Sequence, residues 1–314
     1  MTGERFFIVG GAGFIGSHFA ERLLAAGAAV TVYDNFSSGT EGHLAHVRDR
    51  VQVVRGDVHE RARLAEAMRD HDTVIHLASN PDIAKAMADP DVDFREGTEL
   101  TRNVLEAMRE GGVRRVLYAS GSGVYGDLGS VEVAEDHGPL VPISPYGASK
   151  LAGEALISAY AHMFGMRGRV FRFGNVVGRR QTHGVGYDFL RRLRDEPHRL
   201  TILGDGRQSK SYVHVSDVVS AVLLAHAHEG PPWLSYNVCT GDYITVTEIA
   251  DIVSDVLGVA PEYAYTGGDR GWKGDVPVMR LDTTRVRALG WRCAHTSAQA
   301  IRRSVTEMRE DLER

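Results

Sequence analysis

A tyrosine and a lysine four residues apart, Tyr146 and Lys150, are the side chains of this sequence best suited to acid/base chemistry. Residues at positions i and i+4 of a helix lie on the same face, so these two would be neighbours. A phenol normally keeps its proton up to about pH 10, and a nearby ammonium group favours the phenolate. We therefore expect Tyr146, with Lys150 beside it, to act as a general base near neutral pH.

The first half of the chain alternates short β-rich runs with segments of helix length, as in a parallel sheet covered by crossover helices. The predicted strands are Phe6 to Val9, Val30 to Tyr33, Val51 to Arg55, Thr73 to Leu77, Val116 to Ser120 and Val170 to Phe173. The predicted helices are Phe14 to Ala26, Glu60 to Arg69, Thr98 to Glu110 and Tyr146 to Phe164. The last of these helices carries the tyrosine and the lysine.

This order predicts an α/β fold with a Rossmann-type, doubly wound parallel sheet in residues 1–174, completed by part of residues 212–240. Beyond about residue 175 the elements become shorter and are punctuated by Gly, Arg and Pro. Residues 175–314 are therefore predicted to form a smaller α/β cap domain that binds the substrate.

A glycine-rich turn follows the first predicted strand directly, with the sequence GGAGFIG. Bare backbone allows a pyrophosphate to approach such a turn, and the free N–H groups at the start of the next helix point at the anion. We expect a dinucleotide to bind here. The residues predicted to contact its phosphates are Gly10, Gly13, Phe14, Ile15 and Gly16.

An acidic residue, Asp34, ends the second predicted strand about twenty residues after the glycines, where a carboxylate accepts hydrogen bonds from the adenosine ribose. The same charge repels a 2'-phosphate, and the adjoining loop contains no arginine, so the sequence favours NAD over NADP. Further cofactor contacts are predicted at the ends of the second, third and fourth strands. They are Asn35, Ser37, Ser38, Gly39, Asp57, Val58, Leu77, Ala78 and Ser79.

Composition narrows the class of protein. Lys and Arg total 36 against 41 Asp and Glu, a net charge of -5, and no basic tail is present, which argues against a nucleic-acid partner. The N-terminus lacks a signal peptide or a membrane-spanning apolar run, so we expect a soluble, cytoplasmic protein without a membrane partner. Cys239 and Cys293 lie far apart, without the spacing of a disulfide framework or a metal site.

Eight motifs carry a resemblance to a known family. In chain order they read GGAGFIG, DNFSSG, GDV, HLAS, YASGSGVYG, YGASK, RFGNVVG and LGDGRQSKSYVHVSDV. With them the chain resembles the NAD-dependent epimerase/dehydratase family, the extended branch of the short-chain dehydrogenases, over nearly its whole length. Within this family it is most similar to the UDP-glucose 4-epimerases, with enzymes acting on UDP-glucuronate as near relatives.

The resemblance implies a role for each matching position. It makes Tyr146 the catalytic base and Lys150 the residue that binds the nicotinamide ribose and lowers the pKa of the tyrosine. Contacts to a UDP-sugar are implied in the second half of the chain: Asn175, Lys210 and Arg270 with the diphosphate, and Asp275 with the uridine ribose. The resemblance also implies a homodimer formed through the helices Thr98 to Glu110 and Tyr146 to Phe164.

Gly121 marks a departure from the family, which usually has Ser or Thr there to bind the sugar hydroxyl that is oxidised. Either flanking serine, Ser120 or Ser122, could supply this hydroxyl, and we favour Ser122. Dehydratases of the family carry Asp and Glu at the positions of Ser122 and Gly123, and decarboxylases keep the Glu. Neither residue here can act as a carboxylic acid, so the reaction that remains is C4 epimerisation of a UDP-hexose through a 4-keto intermediate.

The identity of the sugar stays open. Arginines behind Asn175 could bind a uronate carboxylate in two hydrogen bonds, and Arg179 and Arg192 are the candidates. A neutral UDP-hexose and UDP-glucuronate therefore both remain possible substrates. Two other functions are alternatives: an NAD(P)H-dependent reductase of nucleotide keto-sugars, which would release its cofactor in each cycle, and a non-catalytic dinucleotide sensor.

Overall fold

The computed structural model describes residues 1–313. Its strands are β1 (Arg5–Val9), β2 (Ala29–Asp34), β3 (Gln52–Arg55), β4 (Thr73–His76), β5 (Arg115–Gly121), β6 (Glu132–Val133), β7 (Arg167–Phe173), β8 (Asn175–Val177), β9 (Arg199–Ile202), β10 (Ser209–Lys210), β11 (Tyr212–His214), β12 (Trp233–Val238), β13 (Ile244–Thr245), β14 (Glu262–Tyr265) and β15 (Arg280–Leu281). Its α-helices are α1 (Phe14–Ala25), α2 (Arg61–Met68), α3 (Leu100–Gly111), α4 (Pro145–Phe164), α5 (Val185–Asp195), α6 (Val215–Ala227), α7 (Val246–Leu257), α8 (Thr284–Ala288) and α9 (Ser297–Leu312). Shorter 3-10 turns lie at Glu41–Val47, Ile83–Met87 and Ser122–Tyr125.

Two compact units divide the chain. The first contains residues 1–124, 142–172 and 222–236, and the second contains residues 125–141, 173–221 and the chain from residue 237 onward. The observed boundary at 172/173 lies close to the predicted one at residue 174. The structure differs in giving residues 125–141 to the second unit, whereas the sequence-based division places them in the first.

A seven-stranded sheet forms the centre of the first unit, in the order β12-β7-β5-β4-β1-β2-β3. Parallel pairing joins β1 to β2 and to β4, β2 to β3, and β4 to β5. The Phe6, Phe7, Ile8 and Val9 side chains of β1 are fully buried, as expected for a strand covered on both faces. All six predicted strands are present, with ends that differ by at most three residues, and the Rossmann-type prediction is confirmed.

One predicted helix has a different beginning. The prediction of Thr98 to Glu110 misses a π-helical turn, Phe94–Glu99, which leads directly into α3. Hydrophobic periodicity over a single turn does not distinguish a π-turn from an α-turn, since the two differ by one residue in hydrogen-bond spacing. The π-turn matters because the residue before it, Asp93, is buried.

Short sheets and helices make up the second unit. Strand β8 pairs with β11 and β9 with β14, both in parallel, and β10 pairs with β13 in antiparallel. Helices α5, α7 and α9 surround an apolar core that includes the fully buried Leu190, Ile249 and Ile301. Among the helices of residues 1–313, none combines the length and the apolar character needed to cross a lipid bilayer.

Candidate active site

Helix α4 carries the tyrosine and the lysine and has well-defined ends. The Ser144 side chain accepts a hydrogen bond from the Gly147 backbone N–H at 3.1 Å, Pro145 occupies the first helical position, and Gly165 ends the helix with a φ of 64°. A serine N-cap followed by proline fixes where the helix begins. The predicted beginning and end of this helix are confirmed to within one residue.

The structure brings Tyr146 and Lys150 together. The Lys150 side chain is buried, and its Nζ donates a hydrogen bond to the Ala119 carbonyl at 2.9 Å. The same ammonium lies 5.5 Å from the centre of the Tyr146 ring and 5.3 Å from that of Tyr118. The lysine is therefore held between the end of β5 and the rings of both tyrosines.

The expected lowering of the tyrosine pKa is wrong for the protein by itself. Burial raises the pKa of Tyr146 to about 12, and the negative charge of Asp93 adds to this effect. Burial also lowers the pKa of Lys150 to about 8, which Asp93 partly opposes. Removal from water has the largest effect on each pKa, because it disfavours both the phenolate and the ammonium.

Two glycines allow α4 to lie close to its neighbours. A Cβ atom on Gly147 would lie 2.6 Å from the Gly123 carbonyl oxygen, and one on Gly153 would lie 2.3 Å from the Tyr118 hydroxyl. Any side chain at either position would move the helix away from the end of β5. The role of these glycines could not be predicted from the sequence, because their neighbours are distant in the chain.

The serines that flank Gly121 differ in their surroundings. Ser120 is buried and donates a hydrogen bond of 2.6 Å to the Glu154 carboxylate, which also pairs with Arg172 at 2.7 Å. Ser120 is therefore committed to a buried network. Ser122 is only partly buried and remains the candidate for binding the sugar hydroxyl. A Cβ atom on Gly121 would meet no atom within 4 Å.

The glycine-rich turn has the geometry expected of a phosphate-binding loop. Gly10 has a φ of 79°, and a Cβ atom there would lie 2.7 Å from the Ala78 nitrogen. A Cβ atom on Gly16 would lie 2.5 Å from the Gly10 carbonyl oxygen. Gly13 caps α1, so Phe14 and Ile15 are its first residues, and N–H groups in this turn of a helix lack intrahelical partners.

Asp34 organises this loop as well as standing at the predicted ribose position. Its carboxylate accepts hydrogen bonds from the Ala12 N–H at 2.9 Å and the Phe36 N–H at 2.8 Å. Arg55, which was not predicted to lie at this site, is the register partner of Asp34, and its guanidinium lies 4.5 Å from the centre of the Phe36 ring. Arg55 also forms an ion pair with Glu41 at 3.8 Å, so a carboxylate lies next to this guanidinium.

The other predicted cofactor residues follow β2, β3 and β4. Asn35 donates a hydrogen bond to the Asp57 carboxylate at 3.0 Å, and a Cβ atom on Gly39 would lie 2.8 Å from the backbone of Ala12. These contacts bring the loop after β2 against the ends of β1 and β3. The remaining predicted residues lie in the same three loops: Ser37, Ser38, Val58, Leu77, Ala78 and Ser79. Parallel strands place all these loops at one edge of the sheet.

Three of the residues predicted to bind the substrate form one cluster in the second unit. The Lys210 ammonium contacts the Asp275 carboxylate at 2.6 Å, and Arg270 donates a hydrogen bond to the Asp275 carbonyl at 2.7 Å. Each of these two cations has a further partner that the sequence did not predict. Asp127 pairs with Arg270 at 2.6 Å, and the Lys210 ammonium lies 5.5 Å from the centre of the Trp272 ring. Asp275 is buried, so its observed role is to hold Lys210 in place.

The remaining predicted substrate residues lie elsewhere in the second unit. Asn175 begins β8 and donates a side-chain hydrogen bond to the Ser211 carbonyl at 3.3 Å. Arg179 pairs with Glu310 and Asp311 of α9, and the exposed Arg192 donates a hydrogen bond to the Thr201 carbonyl at 3.0 Å. We therefore assign neither guanidinium to a substrate carboxylate, because each already has a partner within the chain.

Metal chemistry has no side-chain cluster to support it in the part of the chain that the structure describes. No group of three or more His, Cys, Asp or Glu residues there could hold a metal ion. Cys239 and Cys293 are both free thiols, and burial raises the pKa of Cys239 to about 11 and that of Cys293 to about 12. Both cysteines are therefore protonated at neutral pH.

Residues 6–239 match the NAD dependent epimerase/dehydratase family. A UDP-glucose 4-epimerase from Mycolicibacterium smegmatis is 33% identical over 311 residues, which cover 96% of this chain and 97% of that protein. The crystal structure of a UDP-galactose 4-epimerase has 39% identity and a TM-score of 0.89, covering 98% of this chain and 99% of that one. A Thermotoga maritima UDP-glucose 4-epimerase crystallised with UDP-glucose has 30% identity and a TM-score of 0.90, with coverages of 98% and 99%. This chain belongs to the NAD-dependent epimerase/dehydratase family.

Proposed function

We propose that the protein interconverts the C4 epimers of a UDP-hexose, with NAD as a retained cofactor. The observation that carries the proposal is the Tyr146–Lys150 pair on α4, combined with the lack of a carboxylic acid at Ser122 and Gly123. A dehydration would need such an acid, whereas epimerisation needs only one base and a hydride acceptor. The UDP-hexose epimerases among the relatives support the same reaction.

The residues of α4 would work on one hydroxyl group. Tyr146 would take the proton of the C4 hydroxyl during oxidation and return it during reduction. Lys150 would stabilise the phenolate and bind the nicotinamide ribose. Bound NAD supplies the hydride acceptor and donor at C4, and its oxidised ring adds the positive charge that favours the phenolate. A 4-keto sugar that turns before it is reduced gives the other epimer.

The glycine-rich loop and its neighbours fit NAD. The tight approach of Gly10 and Gly16 leaves backbone N–H groups at the start of α1 for a pyrophosphate. The Asp34 carboxylate is suited to the ribose hydroxyls and disfavours a 2'-phosphate. Arg55 does not reverse this preference for NAD, because the carboxylates of Glu41 and Asp34 lie near its guanidinium and offset its positive charge.

The second unit would bind the nucleotide diphosphate. Asn175, Lys210 and Arg270 supply an amide and two cations, and Asp275 and Asp127 hold those cations in position. We retain Asp275 as a contact of the uridine ribose only in this proposal, because its buried carboxylate already accepts a hydrogen bond from Lys210. An ammonium and a guanidinium are the side chains that proteins use most often to bind phosphates.

A neutral hexose is the better candidate for the sugar, because Arg179 and Arg192 have partners within the chain. We expect turnover of UDP-glucose to exceed that of UDP-glucuronate, and we expect Arg192→Ala to leave the ratio of the two kcat/KM values unchanged. Coupled assays with both substrates measure this ratio. A preference for UDP-glucuronate that Arg192→Ala abolishes would show that the assignment is wrong.

Introducing a hydroxyl group at position 121 is expected to raise the epimerase activity. The Gly121→Thr side chain enters open space at its Cβ and adds a hydroxyl beside Ser122, so the C4 hydroxyl gains a hydrogen-bond partner. We expect kcat/KM to rise by up to about fivefold, as one hydrogen bond worth about 1 kcal/mol allows. Gly121→Val is the matched control, because it has a similar shape and no hydroxyl. Equal rates for the Thr and Val variants would contradict this account.

Two alternatives are separated by cofactor content. A keto-sugar reductase would use Tyr146 and Lys150 but release its cofactor in each cycle, whereas an epimerase retains NAD. A dinucleotide sensor would bind NAD and convert no sugar. We therefore expect the purified protein to contain NAD and to form UDP-galactose from UDP-glucose without added cofactor. Protein that requires added NAD(P)H, or that leaves both sugars unchanged, would overturn the proposal.

A homodimer in the cytoplasm is part of the same proposal. Helices α3 and α4 contact each other in the first unit, where the Tyr160 hydroxyl donates a hydrogen bond of 2.6 Å to Glu106. The end of α4 leaves Met163 75% and Phe164 40% exposed. Exposed apolar side chains at the end of a helix pair support the use of this surface in association.

A further inference from the structure

A buried carboxylate in the same unit as Tyr146 and Lys150 has one oxygen without a hydrogen bond from any residue that the structure describes. Asp93 is 1% exposed, and its Oδ1 atom accepts a hydrogen bond from the Asn80 side chain at 3.0 Å. Its Oδ2 atom is also buried and has no hydrogen-bond partner among the described residues. Moving an ionised carboxylate out of water is unfavourable, so a buried carboxylate with an oxygen that lacks a hydrogen bond needs a compensating positive charge nearby.

The Lys150 ammonium is buried as well, and it lacks a carboxylate partner in direct contact within the described chain. Its side chain is 4% exposed, and its one hydrogen bond goes to the neutral Ala119 carbonyl at 2.9 Å. Within residues 1–313, no carboxylate lies close enough to form a direct ion pair with Lys150 at 4.0 Å or less. A buried ammonium without a contact ion pair depends on a counter-charge at longer range.

The other polar groups around this ammonium are neutral or already paired, and the Glu154 carboxylate, one turn after Lys150 on α4, forms an ion pair with Arg172 at 2.7 Å. His76 lies in β4, and burial together with the charge of Lys150 lowers its pKa to about 3. Burial raises the pKa of the Tyr118 phenol above its usual range.

The π-helical turn that follows Asp93 packs against α4, since a Cβ atom on Gly97 would lie 2.2 Å from the hydroxyl of Ser149, the residue before Lys150. From this position the charge of Asp93 acts on both Lys150 and Tyr146. The negative charge needed by the lysine therefore comes from Asp93.

The local backbone explains how Asp93 is held inward. Asp93 directly precedes the π-helical turn. The first residue of this turn, Phe94, is 60% exposed, whereas Asp93 is buried. The Asn80 N–H donates a hydrogen bond of 3.0 Å to the Glu96 carbonyl within this turn, and the Asn80 amide also binds the Asp82 carbonyl at 2.8 Å. Single π-turns are frequent at functional sites. Asn80 thus fixes both the turn and the carboxylate.

We infer that Asp93 is a positioning residue of the active site: its carboxylate is the buried counter-charge that keeps the Lys150 ammonium beside Tyr146. This inference rests on the proposed function only for its effect on catalysis. Removing the negative charge makes Lys150 easier to deprotonate and Tyr146 easier to ionise, because Asp93 favours the protonated form of both groups. Both limbs of the pH profile should therefore move to lower pH in Asp93→Asn, whichever residue each limb reports.

Lysine NMR tests the inference without an activity assay. The chain has only four lysines, Lys85, Lys150, Lys210 and Lys273, so a protein labelled with ¹³C at lysine Cε gives few signals. The signal lost in Lys150→Met identifies the site. We expect the pKa of Lys150 to fall by about one unit in Asp93→Asn. Asp91→Asn is the matched control, because Asp91 is exposed and lies two residues away, and it should leave the titration unchanged.

The result that would overturn the inference is an equal Lys150 midpoint in Asp93→Asn and the wild type. Asp93→Ser, smaller and polar, provides a second variant if the asparagine variant does not fold, and the same fall is expected. In the kinetic assay, both limbs of kcat/KM should move by about one unit, whereas a uniform loss with unmoved limbs would contradict a positioning role. A wild-type protein without epimerase activity would refute the proposed function and leave the NMR result interpretable.

Discussion

Replacing Tyr146 with phenylalanine is expected to lower kcat by about 10²–10⁴-fold, the range that a positioned acid/base group contributes. The change removes one oxygen atom, and Ser144 still caps α4 at Gly147, so the helix should keep its place. NAD content should stay unchanged, because the glycine-rich loop and Asp34 are separate from the phenol. Initial rates of UDP-galactose formation and the NAD content of purified protein measure the two effects.

Tyr160→Phe is the matched control for this experiment. Tyr160 lies on the same helix, and its hydroxyl donates a hydrogen bond to Glu106 at 2.6 Å, away from the catalytic pair. We expect its kcat to stay close to that of the wild type. Undiminished turnover in Tyr146→Phe would remove this tyrosine from the mechanism, and an equal loss in both variants would indicate a general disturbance of α4.

Replacing Arg172 with methionine is expected to reduce the free energy of unfolding by about 3–5 kcal/mol, because it leaves the Glu154 carboxylate buried without a counter-charge. The two side chains pair at 2.7 Å, and each is 3% exposed. Since Glu154 lies on α4 one turn after Lys150, activity should be lost at a lower temperature as well. Urea unfolding followed by circular dichroism measures the change in stability.

An exposed ion pair of the same length provides the control. Arg69 and Glu66 also pair at 2.7 Å, but their side chains are 63% and 68% exposed. Arg69→Met should therefore change stability by about 1 kcal/mol or less. The double variant Glu154→Leu with Arg172→Met should recover much of the loss, because neither charge of this buried pair remains. Similar losses in Arg172→Met and Arg69→Met would contradict the importance of burial.

Much of the fold and of the cofactor site could be predicted from short stretches of sequence. The fully apolar run Phe6 to Val9 is a buried parallel strand, and the glycines that follow it form the predicted turn. The serine and proline before Tyr146 locate the beginning of α4 correctly. Each of these features depends on residues that are close together in the chain, so local spacing is sufficient to predict it.

Contacts between distant residues could not be predicted in this way. Arg55 lies beside Asp34 because β2 and β3 are paired, and Asp127 reaches Arg270 across 143 residues of sequence. Asp93 lies outside the eight motifs that carry the family resemblance, and its orientation depends on a π-turn that periodicity does not reveal. Only the folded structure shows that these side chains have charged or aromatic partners.

The pKa of Tyr146 shows a second limit of sequence reasoning. Spacing correctly places Lys150 next to the tyrosine, yet it contains no measure of how far both groups are removed from water. Burial reverses the expected direction and raises the tyrosine pKa to about 12. The oxidised nicotinamide of bound NAD would supply a further positive charge that favours the phenolate.

The fate of the hydrogen at C4 tests the central claim most directly. UDP-glucose that carries deuterium at C4 is incubated with the enzyme in ordinary water, and the UDP-galactose formed is examined by mass spectrometry and proton NMR. If the hydrogen leaves C4 as a hydride and returns to the same carbon while Tyr146 handles only the hydroxyl proton, the product keeps its deuterium at C4. Loss of the deuterium to water would contradict this account, because it would mean that C4 itself exchanges a proton with solvent.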